Sequence, residues 1–452
     1  MSVPTAAKPR IVSGWGGAGP ARVADVSRPL DEEHLSLVLR QAADNGQQVA
    51  LRGCGHATAG QSYARNALMI DVRGLGRVLE IDETERTIRV QGGATWDGVT
   101  RQLELHGLGL TTQQEFHSFT VGGSLAANAH GKSIDHGPFS TAVRELRLLT
   151  ADGSVVRCSR EENRDLLYAV IGGHGLLGVV LDATLELVDD PVVVRADRVS
   201  GDRGELLNRY LQHVRRRAQE TPLCYGFLDA GLRHGHYVAY ARDDAARRDG
   251  ALERHEVKPA LFDRFVAAQR RSALVRRLTL PVMWHASRAN ETTLRSRRLL
   301  LWDQPPASLA GTQLQKFIVP AHAFDSFCAA AGPLLERDAR LPQFPPHFRF
   351  VPGPDPALLP LAPEDSVCLV LCHFADPRDP AWVQAYERLT RDLVDLAVAA
   401  GGRHYLTFGA AATRDQLLRA YSGWDAFVAQ KRAVDPDHRF TSEFFRRYEE
   451  EV

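Results

Sequence analysis

Two glycine clusters carry the residue types that could do chemistry. The first is Arg52-Gly53-Cys54-Gly55-His56-Ala57, at the end of the apolar run Val49-Ala50-Leu51. An apolar run that ends in glycines reads as a buried strand feeding a tight turn. Gly53 and Gly55 let the backbone reach positive φ and approach a ligand closely. Successive N–H groups in such a turn can hold an anionic oxygen. His56 stands at the loop tip, where its imidazole can meet whatever is bound. The second cluster is Phe119-Thr120-Val121-Gly122-Gly123-Ser124-Leu125-Ala126-Ala127-Asn128-Ala129-His130-Gly131. Residues 122–131 of it are rich in glycine and alanine and carry little side-chain bulk. Alone, the first cluster also fits a plain strand-to-turn transition; the two together carry the reading.

The elements that must position these clusters follow from periodicity and punctuation. Pro29-Leu30-Asp31-Glu32-Glu33 opens a helix that Gly46 closes, just before the first cluster. Ala67 to Val72 reads as a strand. Val78–Asp82 and Thr87–Gln91 alternate around a charged turn, as a hairpin does. Thr95 to Leu105 is an amphipathic helix. Ala142–Thr150 and Ser154–Cys158 form a second hairpin, followed by a helix over Arg164–Ile171 and a strand over Val179–Leu187. Gly173-His174-Gly175-Leu176-Leu177-Gly178 spells G-x-G-x-x-G. It has a helix before it and a strand after it, the reverse of the dinucleotide fingerprint, so a Rossmann reading is rejected.

Beyond Asp189-Asp190-Pro191 strands (Cys224–Leu228, His236–Ala241, Gln315–Val319, Val367–Phe374) mix with helices (Glu205–Ala218, Trp382–Ala400). The proline-rich stretch Leu341–Pro363 reads as a long connection, the kind that often carries function. Gln416 to Val452 reads as helical and charged.

Composition narrows the class. A chain of 452 residues exceeds the usual single-core size. No apolar run is long enough to span a bilayer, and Met1–Gly14 lacks the apolar core of a signal peptide. Six scattered cysteines are expected as reduced thiols in the cytoplasm. Cys368 and Cys372 lack a second pair at zinc spacing, so no metal is expected. Formal net charge is zero, yet residues 264–299 hold nine arginines and one acid. That stretch is either solvated helix surface or a basic face for a phosphate-bearing substrate, an anionic membrane surface or a partner. With the rest of the chain balanced, nucleic acid is excluded as a partner.

The two clusters in this order resemble the flavin-binding domain of the vanillyl-alcohol oxidase / p-cresol methylhydroxylase superfamily. Ser13-Gly14-Trp15-Gly16-Gly17, His130-Gly131-Lys132, Gly401-Gly402-Arg403-His404-Tyr405 and Val434-Asp435-Pro436 are similar to its ribose-oxidase branch. Gly55-His56, Gly60-Gln61 and Asp135-His136-Gly137-Pro138 are similar to its cytokinin-dehydrogenase branch. The alditol and aldonolactone oxidases share the plan. The resemblance implies a two-domain α+β fold. A PCMH-type FAD-binding domain would span 1–191 and a substrate (cap) domain 192–409, with 410–452 returning to the FAD domain.

It also implies FAD, held by Arg52, Gly53, Cys54, Gly55, His56 and Ala57, by Gln61 and Ser62, by Thr120, Gly122, Gly123 and Ala127, by His130 and Gly131, and near Gly178 and Val180. His56 matches the position that bonds covalently to the flavin in many relatives, and an unprotonated imidazole is a suitable nucleophile. Glu115 matches an aspartate that takes a proton from an amine; burial would raise its pKa towards that task. Arg349 falls where sugar-alcohol relatives carry a cation that stabilises reduced flavin, and Lys316 is a second candidate. His373 and Tyr405 are candidates for substrate contact. The ribose and alditol oxidases place a lysine where Phe408 stands here, which leaves the base open among Glu115, His373 and Tyr405.

The expected activity is hydride removal from a CH–OH carbon of a sugar or polyol, with dioxygen or another acceptor reoxidising the flavin. Amine oxidation and a non-catalytic flavin-binding protein are the alternatives.

Overall fold

The computed structural model describes residues 10–14, 20–190, 193–217, 221, 223–242, 312–408 and 411–449, with isolated positions between 264 and 295. Most of the arginine-rich stretch and Trp15-Gly16-Gly17 therefore lie outside the described residues.

The N-terminal part starts with a three-stranded parallel sheet in the order Asp25–Ser27, Leu68–Asp71, Val49–Arg52. Helix Glu32–Asp44 packs Leu35, Val38 and Leu39 against Val49, Leu68 and Ile70. Its N-cap is Asp31, whose carboxylate accepts the His34 N–H at 2.7 Å, satisfying one of the orphan donors of the first turn. An antiparallel sheet follows, with Val155–Ser159, Val143–Leu149, Val179–Asp189, Thr87–Gln91 and Val78–Asp82 in that order and Leu108–Leu110 against the end of the long strand. Its core also takes Trp424, Phe427, Phe444, Phe445 and Tyr448 from the C-terminal helices. Phe440 pairs in parallel with Val49, beside the strand that feeds the first glycine cluster.

The second part is built on one antiparallel sheet. Among the described residues its strand order is Leu294–Arg295, Val193–Asp202, His234–Arg242, Leu223–Leu228, His347–Val351, Ser366–Phe374, Thr312–Pro320, Arg403–His404. Period-two alternation divides its side chains into two faces. One face (Phe348, Leu369, Leu371, Phe317, Val319) packs under helices Arg203–Arg217, Phe324–Glu336 and Pro380–Ala399. The other face turns towards the flavin-binding domain. The molecule is thus a two-domain α+β fold.

Three elements depart from the sequence reading. Strand Val193–Asp202 and helix Phe324–Glu336 were not expected; Pro333, inside that helix, argues against one. The supposed connection Leu341–Pro363 contains strand His347–Val351, which lies between two partners in mid-sheet. The prolines flanking His347-Phe348-Arg349-Phe350-Val351 mask a clean polar–apolar alternation.

Candidate active site

The face of the second sheet that turns towards the flavin-binding domain gathers a set of ionisable side chains. Register places Tyr225 opposite Arg349, Arg349 opposite Cys368, and both Lys316 and His347 opposite Val370. Lys316, His347, Arg349 and Tyr225 therefore share one face. Lys132 and Glu115 reach the same place from the flavin-binding domain. Residues 132–133 are stitched to the sheet: the Cys224 N–H donates to the Lys132 carbonyl at 3.4 Å, and Ser133 bridges Leu223.

The side chains meet as a charged cluster. Glu115 lies 3.2 Å from Lys132 Nζ and 3.4 Å from Arg349 Nη2. Lys132 also sits 4.6 Å from the centre of the Tyr225 ring. Burial works to raise the Glu115 pKa, but Lys132, Arg349, His347 and Lys316 outweigh it and hold the carboxyl well below the usual range. The shift is opposite to the one burial alone would give, because tertiary contact brings Lys132 and Arg349 to Glu115. Lys316 Nζ lies 5.3 Å from the Tyr405 ring centre and 5.2 Å from that of Phe408. Burial first, then Arg349, lowers its pKa to about 8. Arg349 is 1% exposed, and its Nε and Nη1 are buried with no hydrogen-bond partner among the described residues.

Tyr405 and His373 behave differently from expectation. The Tyr405 hydroxyl donates to the Ala127 carbonyl at 2.8 Å, and burial pushes its pKa upward. That places Tyr405 as a strut, not a base. His373 projects from the opposite face of its strand. It lies edge-on to Tyr386 of helix Pro380–Ala399, with Nδ1 3.4 Å from the Leu341 carbonyl. The structure does not bring it to the cluster.

The first glycine loop folds against the segment that follows Tyr405. Thr58 Oγ1 donates to the Thr407 carbonyl at 2.8 Å and Gln61 Nε2 to the Leu406 carbonyl at 3.0 Å. Gly55 has φ +78°, a left-handed conformation that favours glycine, and the Arg52 guanidinium fills the place a Cβ would take. Arg52 Nη1 also donates to the Ser13 carbonyl at 3.0 Å. The His56 ring sits 4.3 Å from Phe119, and burial with the nearby Arg52 charge lowers its pKa to about 4. Its imidazole is thus neutral at physiological pH. Gly53 and half-buried Cys54 and Ala57 form the rest of the loop, and burial raises the Cys54 thiol pKa.

The second cluster is built by close packing. Thr120 caps helix Val121–Ala126, accepting the Gly123 N–H at 3.3 Å, and the Gly122 N–H donates to the Gly92 carbonyl at 2.7 Å. These donors are committed within the protein, so Gly122 serves the approach of one backbone to another: a Cβ there would stand 3.0 Å from the Gly92 oxygen. Val180 backs Gly92 in turn, and Gly178 lies under the Leu149 carbonyl. Buried His130 lies edge-on to Tyr405 at 6.2 Å, and Gly131 packs on the Gln113 backbone. Burial, then Arg349 and Lys316, keep His130 far below its ordinary pKa.

Sequence reasoning gave no role at the site to Lys132, Tyr225, Cys368 or Gly92. The alternation in His347–Val351 is the signal that could have exposed the cationic face.

The donor set fits an anionic, flat cofactor. The neutral His56, the buried Ser62 Oγ and the two Arg349 nitrogens that have no hydrogen-bond partner among the described residues belong to segments that the hydrogen bonds above draw together. Among the described residues no group of His, Cys, Asp and Glu could hold a metal ion, and no helix is long and apolar enough to cross a membrane.

Comparison with known proteins agrees. Residues 24–159 match the FAD binding domain family. Decaprenylphosphoryl-beta-D-ribose oxidase of Mycolicibacterium smegmatis is 25% identical, covering 96% of this chain and 96% of its own. L-gulono-1,4-lactone dehydrogenase of Mycobacterium tuberculosis is 26% identical, covering 97% and 98%. Cytokinin dehydrogenase 4 of Oryza sativa is 32% identical over 39% of this chain and 35% of its own length. The chain is an FAD-dependent oxidoreductase that carries an FAD binding domain over residues 24–159 and is similar over nearly its whole length to oxidases and dehydrogenases of the vanillyl-alcohol oxidase / p-cresol methylhydroxylase type.

Proposed function

We propose that the protein oxidises a CH–OH group of a sugar, polyol or sugar lactone, with FAD joined covalently through His56. The observation that carries this reading is the charge balance of the cluster. Lys132, Lys316 and Arg349 surround a single carboxylate, Glu115, whose pKa they depress. A cationic amine entering there meets net repulsion, whereas a neutral or anionic alcohol does not. The named activities of the two full-length relatives, on a phosphoryl ribose and a gulonolactone, agree with an alcohol substrate.

Bound FAD supplies the two-electron acceptor for such chemistry. Lys316 is the base: with a pKa near 8, a useful fraction of its Nζ is free to take the hydroxyl proton at neutral pH. Arg349 offers Nε and Nη1 to negative charge that develops beside it. Glu115 holds Lys132 and Arg349 in position. His56, kept neutral by burial, presents a ring nitrogen lone pair for the covalent link.

In this reading 1–191 and 410–452 form the flavin-binding domain and 192–409 the substrate domain. The arginine-rich stretch 264–299 serves a phosphate-bearing substrate or an anionic membrane surface, and the enzyme works in the cytoplasm.

The test is anaerobic bleaching of the bound flavin by a substrate panel. L-gulono-1,4-lactone and sugar phosphates are expected to bleach it. Bleaching by a cytokinin amine alone would transfer the protein to the amine-oxidising class. No bleaching by any alcohol or amine, with the flavin unable to reoxidise after photoreduction, would favour a non-catalytic role.

A further inference from the structure

The loop between strands His347–Val351 and Ser366–Phe374 crosses to the flavin-binding domain. Its Leu359 enters the flavin-domain core, while Leu361 and Ala362 join the apolar cluster around Tyr405 and Cys368. Arg403 Nη1 donates to the Pro360 carbonyl at 2.8 Å. At the centre is Asp355, 6% exposed and used by no step above. One of its oxygens accepts from Ser140 Oγ at 2.6 Å and the Ala357 N–H at 3.0 Å. The other accepts from Asn128 Nδ2 at 2.8 Å and the Leu361 N–H at 2.6 Å. The partners span both domains.

Asn128 is the partner that matters for the site. Its φ is +45°, a left-handed conformation that a non-glycine residue keeps only with support. Its Oδ1 accepts the Ser140 N–H at 3.0 Å, so both ends of its amide are fixed. The residue before it, Ala127, accepts the Tyr405 hydroxyl; the pair two residues on is His130-Gly131. The turn at Asn128 therefore sets where the Ala127 carbonyl and His130 stand.

We infer that Asp355 is a positioning residue for the flavin site: it clamps Asn128 in the left-handed turn and so couples the geometry of Ala127, His130 and Tyr405 to the docking of the substrate sheet. This rests on the reading of that segment as flavin-contacting. Removal of Asp355 leaves Asn128 Nδ2, Ser140 Oγ and two backbone donors buried without acceptors. The damage then falls on the cofactor's surroundings as well as on stability.

The test uses the purified holoprotein and needs no substrate. Visible circular dichroism of the bound FAD reports its asymmetric surroundings, and thermal unfolding reports stability. Asp355→Asn is expected to change the shape and amplitude of the flavin band. Asn128→Ala, which cuts the link at its other end, is expected to reproduce that change. The double variant should show no more than the larger single effect, as for residues on one path. A lowered unfolding temperature with an unaltered flavin band in both single variants would overturn the inference. So would additive band changes in the double variant. Should Asp355→Asn fail to fold, Asn128→Ala alone decides by the same criterion. Wild-type protein that neither carries nor takes up FAD is a distinct result, and it would remove the flavin reading itself.

Discussion

Glu115 and Arg349 meet across the joint between the two domains, with Arg349 Nη2 donating to Glu115 Oε2 at 3.4 Å from 234 residues away. One comes from the loop that leads into the second glycine cluster, the other from the middle of the eight-stranded sheet. The contact brings a fully buried guanidinium to the only carboxylate in the described cluster. It therefore ties domain docking to the electrostatics of the site.

Replacing Glu115 by Gln removes the counter-charge from Lys132 and Arg349. The variant should lose about 1–3 kcal/mol of stability, the cost of leaving a charged partner incompletely paired. The sign with pH follows from the lowered folded pKa of Glu115. Its stabilisation is present above the unfolded carboxylate pKa and is lost as pH falls through the folded one. Wild type should thus lose more unfolding temperature between neutral and acid pH than Glu115→Gln does. Parallel pH profiles for the two proteins would show that the pair is not formed. Alcohol turnover should fall modestly, whereas loss of all turnover would make Glu115, not Lys316, the base.

Lys316 acts as base only when unprotonated. With its pKa lowered to about 8, kcat/KM should rise with pH through that value and level off above it. Lys316→Met should remove the inflection and reduce turnover by about 10²–10⁴-fold, the usual worth of a positioned base. An unchanged profile in the variant would assign the inflection to another group and remove Lys316 from the mechanism.

The strands, hairpins and caps near the glycine clusters were legible because local signals agree there. Asp31 caps the first helix as its place before Glu32 and Glu33 implies, and Val78–Asp82 pairs with Thr87–Gln91 around their charged turn. Arg349 and Lys316 were singled out in the sequence as candidate cations, but their meeting with Glu115 and Lys132 on one sheet face was not legible. Arg349 lies on a strand flanked by prolines, and Lys132 reaches Tyr225 only through tertiary contact. His373 shows a different limit. Every residue of strand Ser366–Phe374 is buried, so its period-two pattern has no polar side to say which way the histidine faces. Glycine, likewise, announces close approach without naming the neighbour; Gly122 turned out to meet Gly92.

His56 is neutral above about pH 4 because burial and Arg52 disfavour its charged form. Acid precipitation of wild-type protein should therefore leave the flavin in the pellet, and His56→Ala should release it to the supernatant. Both proteins should be yellow before precipitation, since the other cradle residues remain. Flavin in the wild-type supernatant would show non-covalent binding and leave His56 as a tilted ring neighbour of Phe119.

The C-terminal segment holds the strand that feeds the His56 loop, and its anchor is a buried ion pair. Lys431 Nζ lies 2.7 Å from Asp435 Oδ2, with both side chains fully buried. Asp435 also accepts the Arg439 N–H at 2.7 Å and the Phe440 N–H at 2.8 Å. Those bonds fix the stretch that pairs with strand Val49–Arg52: the Val49 N–H donates to the Arg439 carbonyl at 2.7 Å, and the Thr441 N–H to the Val49 carbonyl at 2.9 Å. Val49–Arg52 then runs directly into the His56 loop. Asp435→Ala takes the paired carboxylate from a buried ammonium and the acceptor from two backbone donors, so it should cost about 3–5 kcal/mol. Because the freed stretch borders the flavin loop, the flavin-to-protein ratio should fall as well. Thermal unfolding and the absorbance ratio of the purified variant check both. A variant that unfolds like wild type would mean that water or a relaxed backbone replaces the pair. A destabilised variant with full flavin content would separate the tail from the cofactor loop.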